Sequence, residues 1–362
     1  MLNDVKVSVI SKDKLLCLND RYQVFSKGCL LTVKDSNNSD DVKLVLPVGK
    51  IKVALSTRSL IRRLLRLDPR CACFVNDSEF IVSFSGAVYR VNIDNCTVVK
   101  EHEFVSGMNN PLDFCLVDNV VGIADGVYYG DYIGQGISSG VNIYHRDING
   151  CWSKVFTFEP GRIKHVHNVI ASTNRNCLYV LTGDSDSETG IWEVKDNFNS
   201  VRLICGGNQK FRSCVAFEWN DGLIYATDAP QNQNYLYYLD FPKNELVEIR
   251  SINGSCIYGC KLNEKLFAFS TTVEQDEDIV GWKRFITRQY AKGLNDTKSH
   301  IYIGNPDNGF SDVYSCKKDF HQMSLFGFGN FMFPNGLNNQ LLATGYALNN
   351  LSGQTISIKY DF

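Results

Sequence analysis

The sequence predicts an all-β fold, a single β-propeller over residues 1–362 with six or seven four-stranded blades. Three observations lead there. Short β-rich runs are broken almost everywhere by Gly, Asn and Asp clusters, and long segments with helical apolar spacing are scarce. One plan of apolar strand, polar turn and apolar strand recurs six times, in "CACFVNDSEFIVSF", "LDFCLVDNVVGIADG", "HVHNVIASTNRNCLYVLTGD", "VAFEWNDGLIYATD", "YGCKLNEKLFAFSTT" and "FGFGNFMFPNGLNNQLLATGYA". Most copies are followed by a third strand, such as "GVNIYHR", "GIWEV", "YLYYLD" or "HIYIGN".

The elements follow in order. Residues 1–55, with "KLLCLNDRYQVFSKGCLLTV", read either as strands that close the propeller or as an extra blade. Residues 56–67 read as a short helix: a Ser/Thr start, Leu60, Leu64 and Leu67 at helical spacing, and a proline stop at Pro69. Arg58, Arg62, Arg63 and Arg66 make that helix basic, which suits either a solvated connector or peripheral contact with an anionic membrane.

Composition narrows the function. A hydrophobic fraction of 44% with 12% aromatics belongs to a chain with a large core. The balance of 37 basic against 39 acidic residues, net -2, gives no general attraction for nucleic acid. The first residues, "MLNDVKVSVISKDKLL", lack the apolar core of a signal peptide, and no later run is long enough to span a bilayer. The thirteen cysteines sit mostly in apolar strands and read as free, buried thiols. The expected location is the cytoplasm, with or without a peripheral place at the inner membrane face.

In a propeller blade, residues before the first strand and after the second emerge at the same end. The first position carries Arg70, Arg162 and Arg212 in three blades. The second carries Tyr128, Tyr129, Asp131 and Tyr132, then Asp184 and Asp186, Asp228 and Glu274. Converging arginines suit bidentate capture of a carboxylate, sulfate or phosphate. In "GRIKHVHNVI", alternation puts Ile163, His165, His167 and Val169 on one face of a strand, so the two imidazoles accompany the arginines as a candidate base, as a pair able to ligate Zn or Mn, or as hydrogen-bonded core. No motif supplies further ligands at a telling spacing, so no metal and no cofactor is expected. "GDSDSETG" has oxygen donors at alternate positions but lacks the closing Glu of a calcium loop, and reads as a turn stapled by its Asp side chains.

"TGDSDSETGIW" resembles a degenerate form of the Asp-box of sialidase-like propellers, through Asp186, Gly190 and Trp192. The resemblance implies that Arg70, Arg162 and Arg212 hold a substrate carboxylate and that Tyr128 or Tyr129 serves beside an acid. Arg70, however, stands in "DPRCAC" and not in the element that usually carries the first arginine. The His, Tyr and Arg content is also similar to propeller-fold polysaccharide lyases acting on uronic acids, in which Arg neutralises the uronate and His or Tyr moves the proton. The expected function is a carbohydrate-active enzyme, glycosidase, lyase or glycosyl transferase, acting on an acidic glycan, a nucleotide sugar or a lipid-linked glycan. Its catalytic candidates are His165, His167, Asp184, Asp131 and Tyr129, and its substrate-binding candidates Arg70, Arg162, Arg212 and Asp228. The alternative is a non-catalytic interaction platform.

Overall fold

The computed structural model describes residues 5–38, 40–105, 107–133, 140–336 and 340–360. Seven antiparallel four-stranded sheets, six of them taking their strands in chain order and the seventh combining strands from both ends of the chain, make the fold class a β-propeller of seven blades. Blade one is Lys14–Leu18, Tyr22–Lys27, Leu30–Asp35 and Val42–Val45; blade two is Ala72–Phe74, Glu79–Phe84, Ala87–Asn92 and Thr97–Glu103. Blade three is Cys115–Val117, Gly126–Gly130, Val141–Arg146 and Trp152–Phe158, and blade four is Val166–Ser172, Cys177–Thr182, Gly190–Lys195 and Ser200–Gly206. Blade five is Ser213–Trp219, Gly222–Thr227, Asn234–Asp240 and Glu245–Ile252, and blade six is Cys256–Asn263, Leu266–Thr271, Lys298–Asn305 and Gly309–Lys317. Blade seven takes Asn330–Met332, Leu341–Tyr346 and Thr355–Lys359 from one end of the chain and Lys6–Ser11 from the other. The N-terminal region therefore supplies both things its sequence suggested, a closing strand and a complete blade.

By contact density the chain divides into two compact units. Unit 1 is Met1–Pro69, Asp228–Tyr238 and Leu246–Phe362; unit 2 is Arg70–Thr227 and Leu239–Glu245. In unit 2, Val117, Ile143, Val166, Val169, Leu178, Val180 and Val194 form one buried apolar layer, and Ile81, Val88, Phe104, Phe114, Val127 and Tyr129 form another. In unit 1, Leu262, Ala268, Ile301, Phe331, Ala343 and Ile356 do the same. Apolar residues on the second and third strands of the blades are almost all buried, as strands covered on both faces require. None of the thirteen cysteines is in a disulfide.

The basic helix differs from its expected form. It is two helices, α1 (Lys50–Ser56) and α2 (Ser59–Leu64), broken where Arg58 takes an extended backbone (φ -92, ψ 113). Ser56 closes α1 against blade one, its hydroxyl accepting from Cys29 N at 3.2 Å. Leu60 and Leu64, expected inside, are exposed, whereas Arg62 and Arg63 are buried. Partners explain the inversion: Arg62 Nε lies 2.9 Å from Asp68, and Arg63 Nη1 lies 2.6 Å from Asp319 while its Nε donates to Phe326 O at 2.8 Å. Two further helices complete unit 1: α3 (Lys283–Ile286) and α4 (Met323–Phe326). No helix among the described residues is long and apolar enough to cross a membrane.

Candidate functional site

The chemistry-bearing residues of unit 2 meet where blade four begins. Its first strand starts at Val166 and not at Ile163, so Gly161–His165 is a turn leading in. The ladder then slips: Val166 pairs with Thr182 but Asn168 pairs with Leu181, which leaves His167 as the extra residue of a β-bulge. The expected face of Ile163, His165, His167 and Val169 does not exist, because the bulge shifts the alternation. Ile163, Val166 and Val169 pack together in the apolar layer. His167 is turned instead toward His165, their ring centroids 4.9 Å apart.

Asp184 completes the cluster. It follows Gly183, whose φ of +84 belongs to the left-handed region. A Cβ at Gly183 would lie 2.1 Å from the backbone of Glu188, so only glycine turns the chain there. His165 Nε2 lies 3.0 Å from His167 Nε2 and 3.1 Å from Asp184 Oδ1, and His167 Nε2 lies 3.3 Å from that same oxygen. Both imidazoles are buried, while the Asp184 side chain keeps 29% of its surface exposed.

The protons can be assigned from the partners. His167 Nδ1 lies 3.0 Å from Ser213 O, an acceptor, so Nδ1 carries the hydrogen and Nε2 of the neutral ring presents a lone pair. His165 Nε2–H then donates toward His167 and Asp184, leaving His165 Nδ1 buried without a partner. This leaves the lone pair of His167 Nε2 facing a carboxylate oxygen, an arrangement that calls for one more positive charge. A proton or a divalent cation supplies it. Ligand bonds of about 2.0 to 2.2 Å place neighbouring ligand atoms roughly 3 Å apart, the spacing found here. The His167 Nδ1 bond to Ser213 O is the orienting contact a ligating histidine makes. His165, His167 and Asp184 therefore have the donor set and the spacing to hold a metal, which linear motif spacing did not disclose.

Electrostatics set the protonation states. Burial, the larger influence, lowers His165 despite its bond to Asp184, and so favours the neutral ring. Burial alone would raise the Asp184 carboxyl, but the bond from His165, and that from His167 once Nε2 carries the added proton, outweigh it and hold Asp184 well below the usual carboxylate range. Arg212, itself buried, donates through Nη1 to Asp184 O at 3.1 Å and reaches Oδ1 at 3.5 Å; Lys164 Nζ reaches Oδ2 at 3.1 Å. Tyr132 stacks on His165 with ring centroids 4.3 Å apart and 19° between planes, and the Arg70 guanidinium lies 4.8 Å above Tyr132. Lys164 and Arg212 thus pair with one carboxylate, and Arg70 joins the cluster only through Tyr132.

Not every sequence candidate joins them. Tyr129 is buried in the apolar layer of blades two and three, its hydroxyl hydrogen-bonded to His102 Nε2 at 2.8 Å, and burial drives its pKa upward. Tyr132, in a two-residue strand Tyr132–Ile133 paired with Met108–Asn109, takes instead the place beside His165 that was expected of Tyr129. Asp131 is buried, takes two donors from Asn142 on Oδ2 (3.0 and 2.7 Å) and offers its carbonyl to Val166 N at 3.0 Å, so it positions the start of blade four. Burial raises its pKa in spite of Asn142. Arg162 is exposed and lies over Trp192 at 5.2 Å, on the third strand of its own blade, so the expected approach of Arg162 to Arg212 is replaced by a cation–π contact. Asp228 is buried and belongs to unit 1. Lys164 was missed, although it directly precedes His165. In the Asp-box-like segment, Asp186 Oδ1 accepts from the Gln209 side chain at 3.0 Å and Trp192 Nε1 donates to Thr182 Oγ1 at 3.0 Å, while the turn is stapled not by its Asp side chains but by Thr182 Oγ1 donating to Glu188 O, Thr189 Oγ1 donating to Asp186 O and Ser185 N donating to Glu188 Oε2.

No family model matches the chain, and no curated protein matches it. Solved structures do resemble it. An oligogalacturonate lyase from Vibrio parahaemolyticus superposes with a TM-score of 0.58 at 10% identity, over 98% of this chain and 91% of that one. A chain of a mitotic checkpoint complex gives 0.56 at 8% identity, over 100% and 91%. These likenesses establish the propeller fold, which serves an enzyme in the one case and a protein assembly in the other.

Proposed function

We propose that the chain acts on an acidic carbohydrate, bound at the Tyr132–His165–Asp184 cluster of unit 2. The observation that carries this reading is the cluster itself: two imidazoles and a carboxylate converge within 3.3 Å, with three cationic side chains tied to them through Asp184 and Tyr132. The surplus of positive charge suits an anionic ligand. An imidazole kept neutral by burial suits proton removal near pH 7.

Elimination on a uronate would use these groups directly. A cation at the sugar carboxylate stabilises the charge that develops when the adjacent C5 proton leaves. That proton passes to the imidazole pair, the C4–O bond breaks, a C4–C5 double bond forms, and the departing oxygen takes up a proton. Likeness in fold to an enzyme named for a polymer of uronate supports this class of reaction over hydrolysis or transfer.

The test is thermal stabilisation by galacturonate oligomers, sialic-acid-type sugars and nucleotide sugars, with and without added Mn²⁺ or Zn²⁺. At a hundredfold excess over its dissociation constant a true ligand adds about 2.7 kcal/mol. The gain is expected to vanish in His167→Ala, and a processed uronate is expected to show the ultraviolet absorbance of its new double bond. Absence of stabilisation by every acidic sugar, metal present or not, would favour a non-catalytic platform.

A further inference from the structure

The exposed surface of unit 1 contains a feature that the carbohydrate site does not use. Between blade-six strands Leu266–Thr271 and Lys298–Asn305 the chain makes a long excursion, and its tip, "VGWKRFITRQY", turns apolar side chains outward. Val280, Trp282 and Ile286 are each about two thirds or more exposed, at 71%, 68% and 67%; Phe285 is 51% exposed. Phe320, 72% exposed, stands on the segment before α4, and α4 packs against both α3 and α2. Leu60 and Leu64 of α2, also exposed, extend the apolar surface.

The tip is held rigidly. Gln275, buried, donates through Nε2 to Arg284 O and Thr287 O, both at 2.9 Å. Gln322 donates to the same two carbonyls, at 3.0 Å for Thr287, and Gln289 Nε2 reaches Asp276 Oδ2 at 2.8 Å. Three amide side chains, of which Gln275 is buried, thus fix a loop whose apolar residues gain nothing from solvent. Presenting them ordered lowers the entropy cost of placing them in another phase.

Charge identifies that phase. Between Val280 and Tyr290 stand Lys283, Arg284 and Arg288 and no acidic residue, and all three are exposed. Arg58 and Arg66, exposed beside α2, add to them. In a chain with net charge -2, the segment whose aromatics point outward thus carries three exposed cations and no acidic residue, the exposed Glu277 and Asp278 lying just before it. Tryptophan, phenylalanine and basic residues together are the composition of a segment seated at a lipid–water boundary.

We propose that the α3 tip, with Phe320 and α2, docks unit 1 on an anionic lipid surface. Trp282, Phe285 and Ile286 enter the headgroup boundary, and Lys283, Arg284 and Arg288 meet acidic headgroups. This moves the expected membrane contact from the helix at 56–67, whose Arg62 and Arg63 are spent on internal ion pairs, to the neighbouring loop. It is independent of the carbohydrate reading.

The test is flotation of the full chain with vesicles of phosphatidylcholine alone or in equal mixture with phosphatidylserine, at low and high salt. Binding is expected only with phosphatidylserine, to weaken with salt, and to shift the fluorescence of Trp282 to shorter wavelength. Trp282→Ala with Phe285→Ala should weaken partitioning at least about tenfold, and reversing Lys283, Arg284 and Arg288 to Glu should cost roughly fivefold each. Both variants should melt like the parent, since the residues are exposed. The proposal fails if the parent ignores phosphatidylserine vesicles at low salt, or if both variants bind like the parent. It fails equally if the apolar variant dissociates a dimer without any vesicle binding, because the face then belongs to a second copy of the chain.

Discussion

Replacing Asp184 with asparagine tests the electrostatic account of the cluster at one atom. The change keeps the shape of the side chain and an acceptor for His165 Nε2–H, and removes only the charge. Removing one partner of a buried ion pair costs about 3 to 5 kcal/mol. Here Arg212 is 8% exposed but keeps its 3.1 Å bond to the Asp184 carbonyl, which asparagine retains, so the lower part of that range applies. Lys164, 47% exposed, adds less than about 1 kcal/mol. The expected loss near neutral pH is about 3 kcal/mol, read as a lower urea midpoint at unchanged slope. The pH dependence has a definite sign. Although burial opposes it, the histidine bonds hold the Asp184 carboxyl below its unfolded value, so its contribution is complete above about pH 4 and is lost as pH falls further. The gap between parent and Asp184→Asn should therefore be constant near neutrality and close in acid. A variant as stable as the parent near neutral pH, or a gap that widens in acid, would refute the assignment of a charged Asp184 paired with Arg212.

Two further outcomes follow from the same reasoning. Gly183→Ala forces a Cβ to within 2.1 Å of Glu188 backbone at a left-handed φ, so it should cost about 2 kcal/mol or more and weaken any ligand that Asp184 helps to hold; an unchanged urea midpoint would mean that the turn is not as described. Arg63→Ala should cost roughly 3 kcal/mol, because Lys318 still neutralises Asp319 but the Phe326 carbonyl loses its donor, whereas Arg66→Ala, at an exposed position, should stay within about 0.5 kcal/mol; equal effects in urea titrations would contradict the burial of Arg63.

Much of the fold was legible because a propeller repeats its evidence. Five of the six hairpins read from the chain are the first pair of strands of a blade, and in the sixth, residues 112–126, only the first strand was placed, the second beginning at Gly126; apolar strands covered on both faces leave near-continuous hydrophobic runs punctuated by Asn, Asp and Gly turns. Blade one was harder. Its outer strands, Leu30–Asp35 and Val42–Val45, have more polar and exposed positions, and the strand that completes blade seven, Lys6–Ser11, is largely exposed and carries almost no burial pattern. The helix went wrong for a different reason. Leucine spacing marks an apolar stripe only if nothing better is available to bury, and here Asp68 and Asp319, remote in the chain or beyond the helix end, meet Arg62 and Arg63 and turn α2 over.

The site shows where alternation stops being a guide. His165 and His167 were placed on one face by counting two residues, and they do meet, but not as neighbours on a regular strand. Blade one slips between Leu15 and Cys17, blade four between Val166 and Asn168, blade five between Ser213 and Val215, and blade six between Cys256 and Tyr258, each near the start of the first strand. The residue left over is Leu16, His167, Cys214 or Ile257. The bulge is thus a property of the repeated blade, and three blades fill it with an apolar or thiol side chain. Blade four alone among these four spends it on an imidazole, then sets a second imidazole, an aspartate behind a left-handed glycine and the carbonyl of Ser213 around it. A regular strand would have sent His167 into the apolar layer that Val166 and Val169 now fill, where its ring nitrogens would lack partners. The bulge supplies the partners, which makes a structural irregularity shared with other blades the condition for the chemistry found in this one.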